Sequence, residues 1–286
     1  MWLDNKLVGT TANDTWLLLL DHVLSRGFMV YPREKKTLEL LNVVTQFPMR
    51  KPIVTIKARD LGYRFMFAEA MWILLGDDRV STIKPYSKQI AQFSDDGVTF
   101  FGAYGPKVRE QMAYVIGALM RDQNTRQAVI SIWRESPPPS RDIPCTLSVQ
   151  WLIREDLLHC FVTMRSSDIW LGWPYDNFNF TMMSAYLLLA IGAFYPKLKL
   201  GNIVFTLGSG HLYDKDWVSA RVCLDPAQRT DYKFRYGHLD PRAEWKTPAD
   251  LVLHLKYVAE NRHDLLKSQW CCCIARGDHN KKEEKS

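Results

Sequence analysis

Apolar residues recur at helical spacing in several segments of the chain. The first segment, Asp14–Arg26, opens on a residue that can cap a helix and is followed by Gly27, so we predict a helix there. The same spacing predicts three more helices, over Tyr63–Leu75, Val108–Asp122 and the long apolar run Phe178–Phe194.

Shorter apolar runs bounded by turn residues predict strands. These runs are Thr37–Phe47, Lys51–Lys57, Ala128–Trp133, Thr146–Ile153, Leu157–Met164 and Ile203–Leu207. Long helices combined with strands that look antiparallel favour an α+β fold over a regular βαβ alternation. Because no break in composition divides the chain, we interpret residues 1–277 as one domain. The charged residues 278–286 are interpreted as a disordered tail.

The composition narrows the class of protein. Hydrophobic residues make up 47% of the chain, which is enough for one large core. No apolar run reaches the roughly 18 residues of a membrane span, and the first residues lack the pattern of a signal peptide, so we expect a cytoplasmic protein. The net charge of +6 is compatible with ordinary surface bias or with an anionic ligand. Basic residues do not interleave with aromatic ones, which disfavours nucleic-acid binding.

The six cysteines are Cys145, Cys160, Cys223 and the run Cys271 to Cys273. The run lacks zinc-ligand spacing, so we prefer an incidental or structural role over lipidation or metal capture, and we predict no metal site. Cys145 follows Pro144 and opens a predicted strand. A free cysteine is commonly a small buried hydrophobe. Arg126 and Arg165 flank the same region, however, and nearby cations lower a thiol pKa, which makes Cys145 a candidate nucleophile.

Two further segments carry candidate binding groups. Arg165-Ser166-Ser-Asp168, at a strand end, suits a phosphate; the alternative is a surface turn with an Asp–Arg ion pair. In Gly208-Ser-Gly-His211-Leu-Tyr213, the glycines allow the backbone to approach a ligand closely. His211 and Tyr213 share one side of an extended segment, which suits sugar hydroxyls. The alternative is a glycine turn with a structural histidine.

Taken in order, these segments and several others resemble the thymidylate synthase superfamily over about seven tenths of the chain. The matching residues are Arg33, Glu69-Ala-Met-Trp72, Leu75-Gly-Asp77, Tyr104-Gly105, Arg126, Pro144-Cys145, Gln150, Arg165-Ser166-x-Asp168, Leu171-Gly-x-Pro174 and Gly208-x-x-His211-x-Tyr213. The resemblance implies an α+β fold and a homodimer packed through sheets. It also implies a pyrimidine nucleoside monophosphate and 5,10-methylenetetrahydrofolate as substrates.

The resemblance also implies roles for the residues that carry the chemistry. Cys145 attacks ring carbon 6, which makes carbon 5 an enamine-like nucleophile, and Glu69 moves protons through ordered water. The phosphate is bound by Arg33, Arg165 and Ser166, with Arg126 reaching over from the partner subunit, and the sugar hydroxyl by His211 and Tyr213. The resemblance also implies that Asp168, Tyr104 and Lys57 bind the folate. The backbone N–H of Asp168 would in addition contact the base.

The sequence departs from the thymidylate pattern at the residue that reads the base. Thymidylate synthases carry Asn where this chain has Asp176. An amide accepts from the uracil ring N–H and donates to its carbonyl, whereas cytosine reverses both groups. A carboxylate accepts from the cytosine amino group, so Asp176 points to cytosine, with a proton shared with the ring nitrogen. The alternative is that Asp176 faces solvent and Asn177 reads the base.

Other departures concern the product. Thr146 stands where thymidylate synthases have His, in a substrate-binding position, and this resembles the deoxycytidylate hydroxymethylases of T-even-type phages. The region Lys84 to Asp96 has Ile90 and Phe93 in place of a Trp pair, which favours completion by water over completion by hydride. Gln127 replaces one of two paired arginines, and the chain from about Cys223 does not match the family's ending.

We therefore predict a 5-hydroxymethylase of CMP or dCMP. Two alternatives stay open: a thymidylate synthase or deoxycytidylate methyltransferase, and a non-catalytic nucleotide- or RNA-binding protein.

Overall fold

The long strands alternate between buried and partly exposed side chains, as a sheet with one covered face requires. In the computed structural model, residues 5–229 and 236–274 are described, so the predicted tail 278–286 lies outside the described residues. Within them the strands are β1 (Lys6–Val8), β2 (Phe28–Val30), β3 (Thr37–Pro48), β4 (Val129–Ser131), β5 (Thr146–Arg154), β6 (Leu157–Asp168) and β7 (Lys199–Tyr213).

These strands form one mixed sheet in the order β1-β3-β7-β6-β5-β4, with β2 paired to β3. β7 runs parallel to β6 and antiparallel to β3, and β5 runs antiparallel to β6. The carboxyl ends of β6 and β7 therefore meet the amino ends of β3 and β5 at one edge of the sheet. The predicted site segments come together at this edge.

The helices cover one face of the sheet. They include α1 (Ala12–Arg26), α2 (Tyr63–Leu74), α3 (Val80–Ile83), α4 (Gly105–Arg121), α5 (Trp173–Ile191), α6 (Trp217–Leu224), α7 (Pro241–Glu244) and α8 (Pro248–Ala259). Helix α5 is buried on nearly all sides because it packs between the sheet and the helices α2, α4 and α8. Its Trp173 lies 5.6 Å from Phe47 and 5.9 Å from Phe205, ring centre to ring centre. The predicted α+β class is confirmed.

The opposite face of the sheet carries apolar side chains that no helix of the described residues covers. Leu41 and Val44 of β3, Leu152 of β5, Phe161 of β6 and Val204 of β7 are each only partly buried. They alternate with the core-facing positions of the same strands. No helix in the described part of the chain is long and apolar enough to cross a membrane.

The strand predicted over Lys51–Lys57 is not formed. This segment is largely buried, but it is not one of the named strands of the sheet, and two of its N–H groups donate to side chains. The N–H of Ile53 donates to the Tyr236 hydroxyl at 2.8 Å, and the N–H of Thr55 donates to Asn13 Oδ1 at 2.8 Å. The predicted cap of α1 is also wrong, since Thr11 caps the helix and accepts from the N–H of Asp14 at 3.1 Å.

Several elements, including α5 and β7, are longer than their apolar runs predicted. Helix α5 begins at Trp173 rather than Phe178, because Pro174 fits the first turn of a helix, where its missing N–H costs nothing. Strand β7 continues to Tyr213 rather than ending at Leu207. The glycine segment therefore belongs to a strand and forms no turn.

Candidate active site

Cys145 lies immediately before β5, at the sheet edge where the ends of β6 and β7 meet. Its Sγ is 3.8 Å from Nη2 of Arg165 and 3.8 Å from Oγ of Ser166. Arg165 also donates from Nε to the carbonyl of Pro144 at 3.0 Å. The guanidinium therefore contacts both the thiol and the loop that carries it.

Burial raises the pKa of the Cys145 thiol above its ordinary value. The Arg165 charge and the Ser166 hydroxyl lower it, while the charge of Asp176 opposes ionisation. The expectation that flanking arginines lower this pKa is thus correct for Arg165, but burial outweighs the cation.

Gly208 of β7 allows β6 to approach closely at Arg165. A Cβ at position 208 would lie 2.7 Å from the backbone oxygen of Arg165, which is closer than real Cβ contacts allow. The glycine is thus required by the packing of two adjacent strands at the residue that contacts the thiol.

A pocket of about 230 Å3 opens between α2, α5 and the start of α4. Its polar lining comes from Glu69, Tyr104, Asp142, Asp176 and Asn179. Its apolar walls are formed by Trp72, Ile73, Ile90, Phe93, Phe100 and Ala103. Flat aromatic walls beside a few convergent polar groups suit a planar heterocyclic ligand.

Asp176 and its neighbour Asn177 face different surroundings. Asp176, in the first turn of α5, lines the pocket. Burial, together with the charges of Glu69 and Asp168, raises its pKa well above the ordinary value. Asn177 is fully buried and donates to the carbonyl oxygens of Pro174 at 2.9 Å and Trp173 at 3.4 Å. The geometry therefore favours Asp176 over Asn177 as the group that meets a ligand.

Glu69 projects from α2 into the same pocket. Its Oε2 accepts a hydrogen bond from Nδ2 of Asn179 at 2.7 Å. Burial raises the pKa of this carboxyl to about 7, and the Asn179 N–H opposes that rise. A carboxyl with such a pKa can both give and take a proton near neutral pH.

Thr146 reaches the pocket only through Tyr104. The Thr146 side chain is fully buried, and its Oγ1 donates to the Tyr104 hydroxyl at 2.9 Å. Tyr104 lines the pocket and stacks on Phe180 with ring centres 6.2 Å apart. Burial and the nearby acidic groups raise the Tyr104 pKa well above its ordinary value, so the phenol stays protonated.

His211 lies opposite Asp168 at the parallel ends of β7 and β6. Burial lowers the His211 pKa, and its Nδ1 lies 3.5 Å from Oγ of Ser209. The Asp168 carboxylate accepts from the N–H groups of Trp170 and Leu171, both at 2.9 Å. This carboxylate therefore orders the turn that leads from β6 to α5.

The Tyr213 ring packs edge-on against His211, with ring centres 5.3 Å apart. Arg33 lies in the exposed loop between β2 and β3. Lys35 of the same loop places its ammonium 5.6 Å from the Tyr213 ring centre. Three predicted residues, His211, Tyr213 and Arg33, are thus grouped at the end of β7 and in the adjacent loop.

Lys57 is exposed on a short turn. The nearby Arg59 ties this turn to the loop after β6 by donating from Nε to the Trp170 carbonyl at 2.9 Å. Arg126 is exposed near Gln150, whose side chain donates to the Arg126 carbonyl at 2.9 Å. Gln150 lies five residues along β5 from Cys145, roughly 16 Å away in an extended strand. Arg126 is therefore remote from the thiol of its own chain.

Sequence reasoning missed two groups. Asn179 follows Asp176 by three residues, and this spacing on a helix could have revealed their shared face. Glu39 accepts from the hydroxyl of Ser209 at 2.5 Å, behind His211. Glu39 carried no signal in the sequence, because its partner is contributed by a distant strand.

Comparisons with known proteins agree with this geometry. A family model described as "Thymidylate synthase" matches residues 14–247. The chain is also 28% identical over 238 residues to the deoxyuridylate hydroxymethyltransferase of Bacillus phage SP01. That alignment covers 76% of this chain and 61% of the relative, so the chain spans about three fifths of the relative's length.

Proposed function

The chain belongs to the thymidylate synthase family, and from that premise we propose that it hydroxymethylates carbon 5 of CMP or dCMP. The one-carbon donor is 5,10-methylenetetrahydrofolate. In this reaction Cys145 adds to carbon 6 of the base, carbon 5 accepts the one-carbon unit, and water completes the hydroxymethyl group.

The observation that carries this proposal is the placement of Asp176. Its carboxyl lines the pocket, and its raised pKa favours the protonated form. A protonated carboxyl donates to the ring nitrogen of cytosine while its other oxygen accepts from the amino group. The ring nitrogen of cytosine is a better proton acceptor than the uracil carbonyl, so the shared proton favours cytosine.

A second candidate is hydroxymethylation of a uridylate. The phage relative is named for deoxyuridylate, and a protonated Asp176 can also accept from the uracil N–H and donate to its carbonyl. The two candidates agree on the chemistry at carbon 5 and differ in the base. The relative's name also supports hydroxymethylation over methylation.

The other residues of the site have roles that fit either base. Arg165 and Ser166 contact the thiol and stand at the strand end where a phosphate can bind, with Arg33 on the neighbouring loop. His211 and Tyr213 bind the sugar hydroxyl. These contacts hold the base over Cys145 without touching the reacting carbons.

The apolar side of the pocket fits the pterin ring of the folate. Trp72 and Phe100 meet edge to face with ring centres 5.6 Å apart and form one wall. The folate would also be bound by Tyr104, Asp168 and Lys57. Asp142, whose carboxylate accepts from the N–H of Gly102 at 2.8 Å, anchors the loop below this wall.

The proposal includes a homodimer formed through the uncovered face of the sheet. The partly buried side chains on that face, including Phe161 and Val204, would be covered by the same face of a second copy. Arg126, remote from its own Cys145, would then supply the partner's phosphate site.

Tritium release from carbon 5 of labelled CMP, dCMP, UMP and dUMP tests the proposal directly. Each nucleotide is incubated with methylenetetrahydrofolate, and the mass of the product is determined by mass spectrometry. Release from CMP or dCMP with a mass gain of one formaldehyde unit is the expected result. Release from UMP or dUMP alone would refute the cytosine preference and assign uracil as the base. A mass gain of one methylene would refute hydroxymethylation and assign methylation.

A further inference from the structure

Asn179 presents a second polar group on the pocket face of α5. It follows Asp176 by three residues and lines the same pocket. The side chain is 2% exposed, and its Nδ2 donates to Oε2 of Glu69 at 2.7 Å. Its Oδ1 is buried with no hydrogen-bond partner among the described residues.

The carboxyl of Glu69 determines how this amide is oriented. An amide oxygen facing a carboxylate repels it, so the ionised form of Glu69 holds the N–H of Asn179 toward itself. When Glu69 is protonated, the amide can turn and accept the carboxyl O–H at Oδ1. One side chain therefore provides a hydrogen bond for either protonation state of Glu69.

The unpaired Oδ1 bears on the role of Asn179 as well. A buried polar atom without a partner disfavours folding, so this amide is poorly explained by stability alone. Its side-chain hydrogen bond among the described residues is made to a carboxyl in the candidate active site. The position of Asn179 is therefore better explained by its hydrogen bond to Glu69 than by a contribution to stability.

We propose that Asn179 is a positioning residue that holds Glu69 ready to accept the proton of the water that completes hydroxymethylation. This inference rests on the proposed function. In the step concerned, the water oxygen bonds to the exocyclic methylene carbon, and the water proton passes to the Glu69 carboxylate. The electron pair of the exocyclic double bond restores the bond between carbons 5 and 6, and Cys145 leaves carbon 6 as a thiolate.

The titratable and charged groups around Glu69 come from several elements. Asp176 on α5, Asp142 in the loop before β5 and Tyr104 at the start of α4 line the same pocket. On the α8 side of α2, Arg64 donates to the Ala259 carbonyl. Burial raises the pKa of the nearby Tyr86, the Glu260 charge adds to this rise and the Arg64 charge opposes it. Asn179 is the group that hydrogen-bonds the Glu69 carboxyl, so its removal should act on Glu69 before it acts on the others.

Replacing Asn179 tests the proposal through a ratio. In a single turnover with enzyme in excess, we would measure the rate of hydroxymethyl product formation relative to the rate of tritium release from carbon 5, on whichever labelled nucleotide the wild-type enzyme turns over. Tritium leaves before water adds, so this ratio isolates the water step. In Asn179→Leu, which has a similar shape but no hydrogen-bonding group, the ratio should fall about ten-fold at pH 7. It should recover at higher pH, because loss of the N–H donor raises the Glu69 pKa.

Asn179→Asp should show the opposite pH dependence. A protonated Asp side chain can donate to Glu69 as the amide does, so the ratio should stay near the wild-type value at low pH. It should fall at high pH, where two adjacent carboxylates repel each other. Since this variant keeps the shape of the side chain, it also serves if the Leu variant folds poorly.

Ser184→Ala is the matched control. Ser184 is a buried residue of α5 whose Oγ accepts a hydrogen bond from Nε1 of Trp151 at 2.9 Å, away from the pocket. Its loss should leave the ratio and its pH dependence unchanged. Equal ratios in both Asn179 variants and the wild type at every pH would overturn the positioning role, as would a parallel loss of tritium release and product. A wild-type enzyme that releases no tritium from any of the four nucleotides would instead refute the proposed function and, with it, this role.

Discussion

The Sγ of Cys145 lies 3.8 Å from Nη2 of Arg165, and the same guanidinium nitrogen donates to the carbonyl of Ile143 at 2.9 Å. The cation that favours the thiolate is thus fixed by the loop that carries the thiol. Burial opposes it and keeps the Cys145 pKa raised. The thiol therefore depends on a local positive charge for its reactivity.

Replacing Arg165 should make Cys145 less reactive. In Arg165→Gln the thiol loses its cation, so its pKa rises and the midpoint of alkylation by iodoacetamide moves to higher pH. The measurement is the alkylation rate of Cys145 by peptide mass spectrometry across a pH series. Arg154→Gln, at the far end of β5, is the control and should leave the midpoint unchanged. An unchanged midpoint in Arg165→Gln would refute the electrostatic role.

Asp176→Asn should shift base preference toward uracil. An amide donates to the uracil carbonyl and accepts from its N–H, but it provides no proton for the cytosine ring nitrogen. We expect the ratio of kcat/KM for dUMP over dCMP to rise about a hundred-fold or more. Tritium release from both nucleotides gives this ratio. A variant that keeps the wild-type preference would show that Asp176 does not read the base.

Glu69→Gln should make folding more stable above neutral pH. The Glu69 pKa is raised to about 7 in the folded state, so the folded protein holds this proton longer than the unfolded chain does. Wild-type stability should therefore fall as pH rises from about 4.5 to 7, by up to about 3 kcal/mol, and the Gln variant should lack this loss. Urea unfolding at pH 5 and pH 8 measures it.

Glu110→Gln is the control for that experiment, because Glu110 is exposed and pairs with Lys107 at the surface. It should show the wild-type pH dependence. If Glu69→Gln lost stability between pH 5 and pH 8 as steeply as the wild type, the carboxyl would not be protonated in the folded protein.

Gly208→Ala should lower activity through Arg165. The new Cβ would lie 2.7 Å from the Arg165 backbone oxygen, so β6 must shift where it carries the thiol contacts and the proposed phosphate contacts. A shift of this kind can cost about a hundred-fold in kcat/KM. Gly210→Ala is the matched control on the same strand, since its Cβ would meet nothing closer than 3.4 Å. Equal activity of the two variants would contradict the packing argument.

Mixing two inactive variants should restore activity if Arg126 crosses a dimer interface. Cys145→Ala and Arg126→Ala each lack one part of every site in their own homodimers. A mixed dimer has one complete site, so an equal mixture that exchanges subunits should regain roughly a quarter of wild-type activity. Tritium release is the readout. No recovery in a mixture with proven subunit exchange would place Arg126 outside the partner's site.

Local signals in the chain were sufficient for several elements. Helical periodicity predicted α1, α2 and α4 to within three residues at each end, because each carries a continuous apolar stripe at helical spacing. Apolar runs bounded by turn residues likewise predicted β5 and the first part of β6. The ordered motifs around Cys145 predicted the family, since each motif combines uncommon residue types at fixed spacing, and the family match confirms it.

Other elements depended on partners far away in sequence. The segment from Ile53 to Thr55 has the composition of a strand, but its N–H groups are taken by Tyr236 and Asn13. Strand β7 extends through Gly208 and Gly210 because β3 and β6 pair with it on both sides. Propensity alone reads such glycines as breakers.

The sequence by itself determined which chemical groups the protein has: a cysteine, two arginines that flank its region in the chain, and a carboxyl at the proposed base-reading position. The tertiary structure decided which of these groups act on one another. Helix α5 starts early enough to turn Asp176 into the pocket and Asn177 into the core, and α2 brings Glu69 to Asn179. Burial in the packed core raises the pKa values of both Cys145 and Glu69. The groups that oppose this rise, Arg165 for Cys145 and Asn179 for Glu69, come from other elements of the fold. No local pattern in the chain encodes these pKa values.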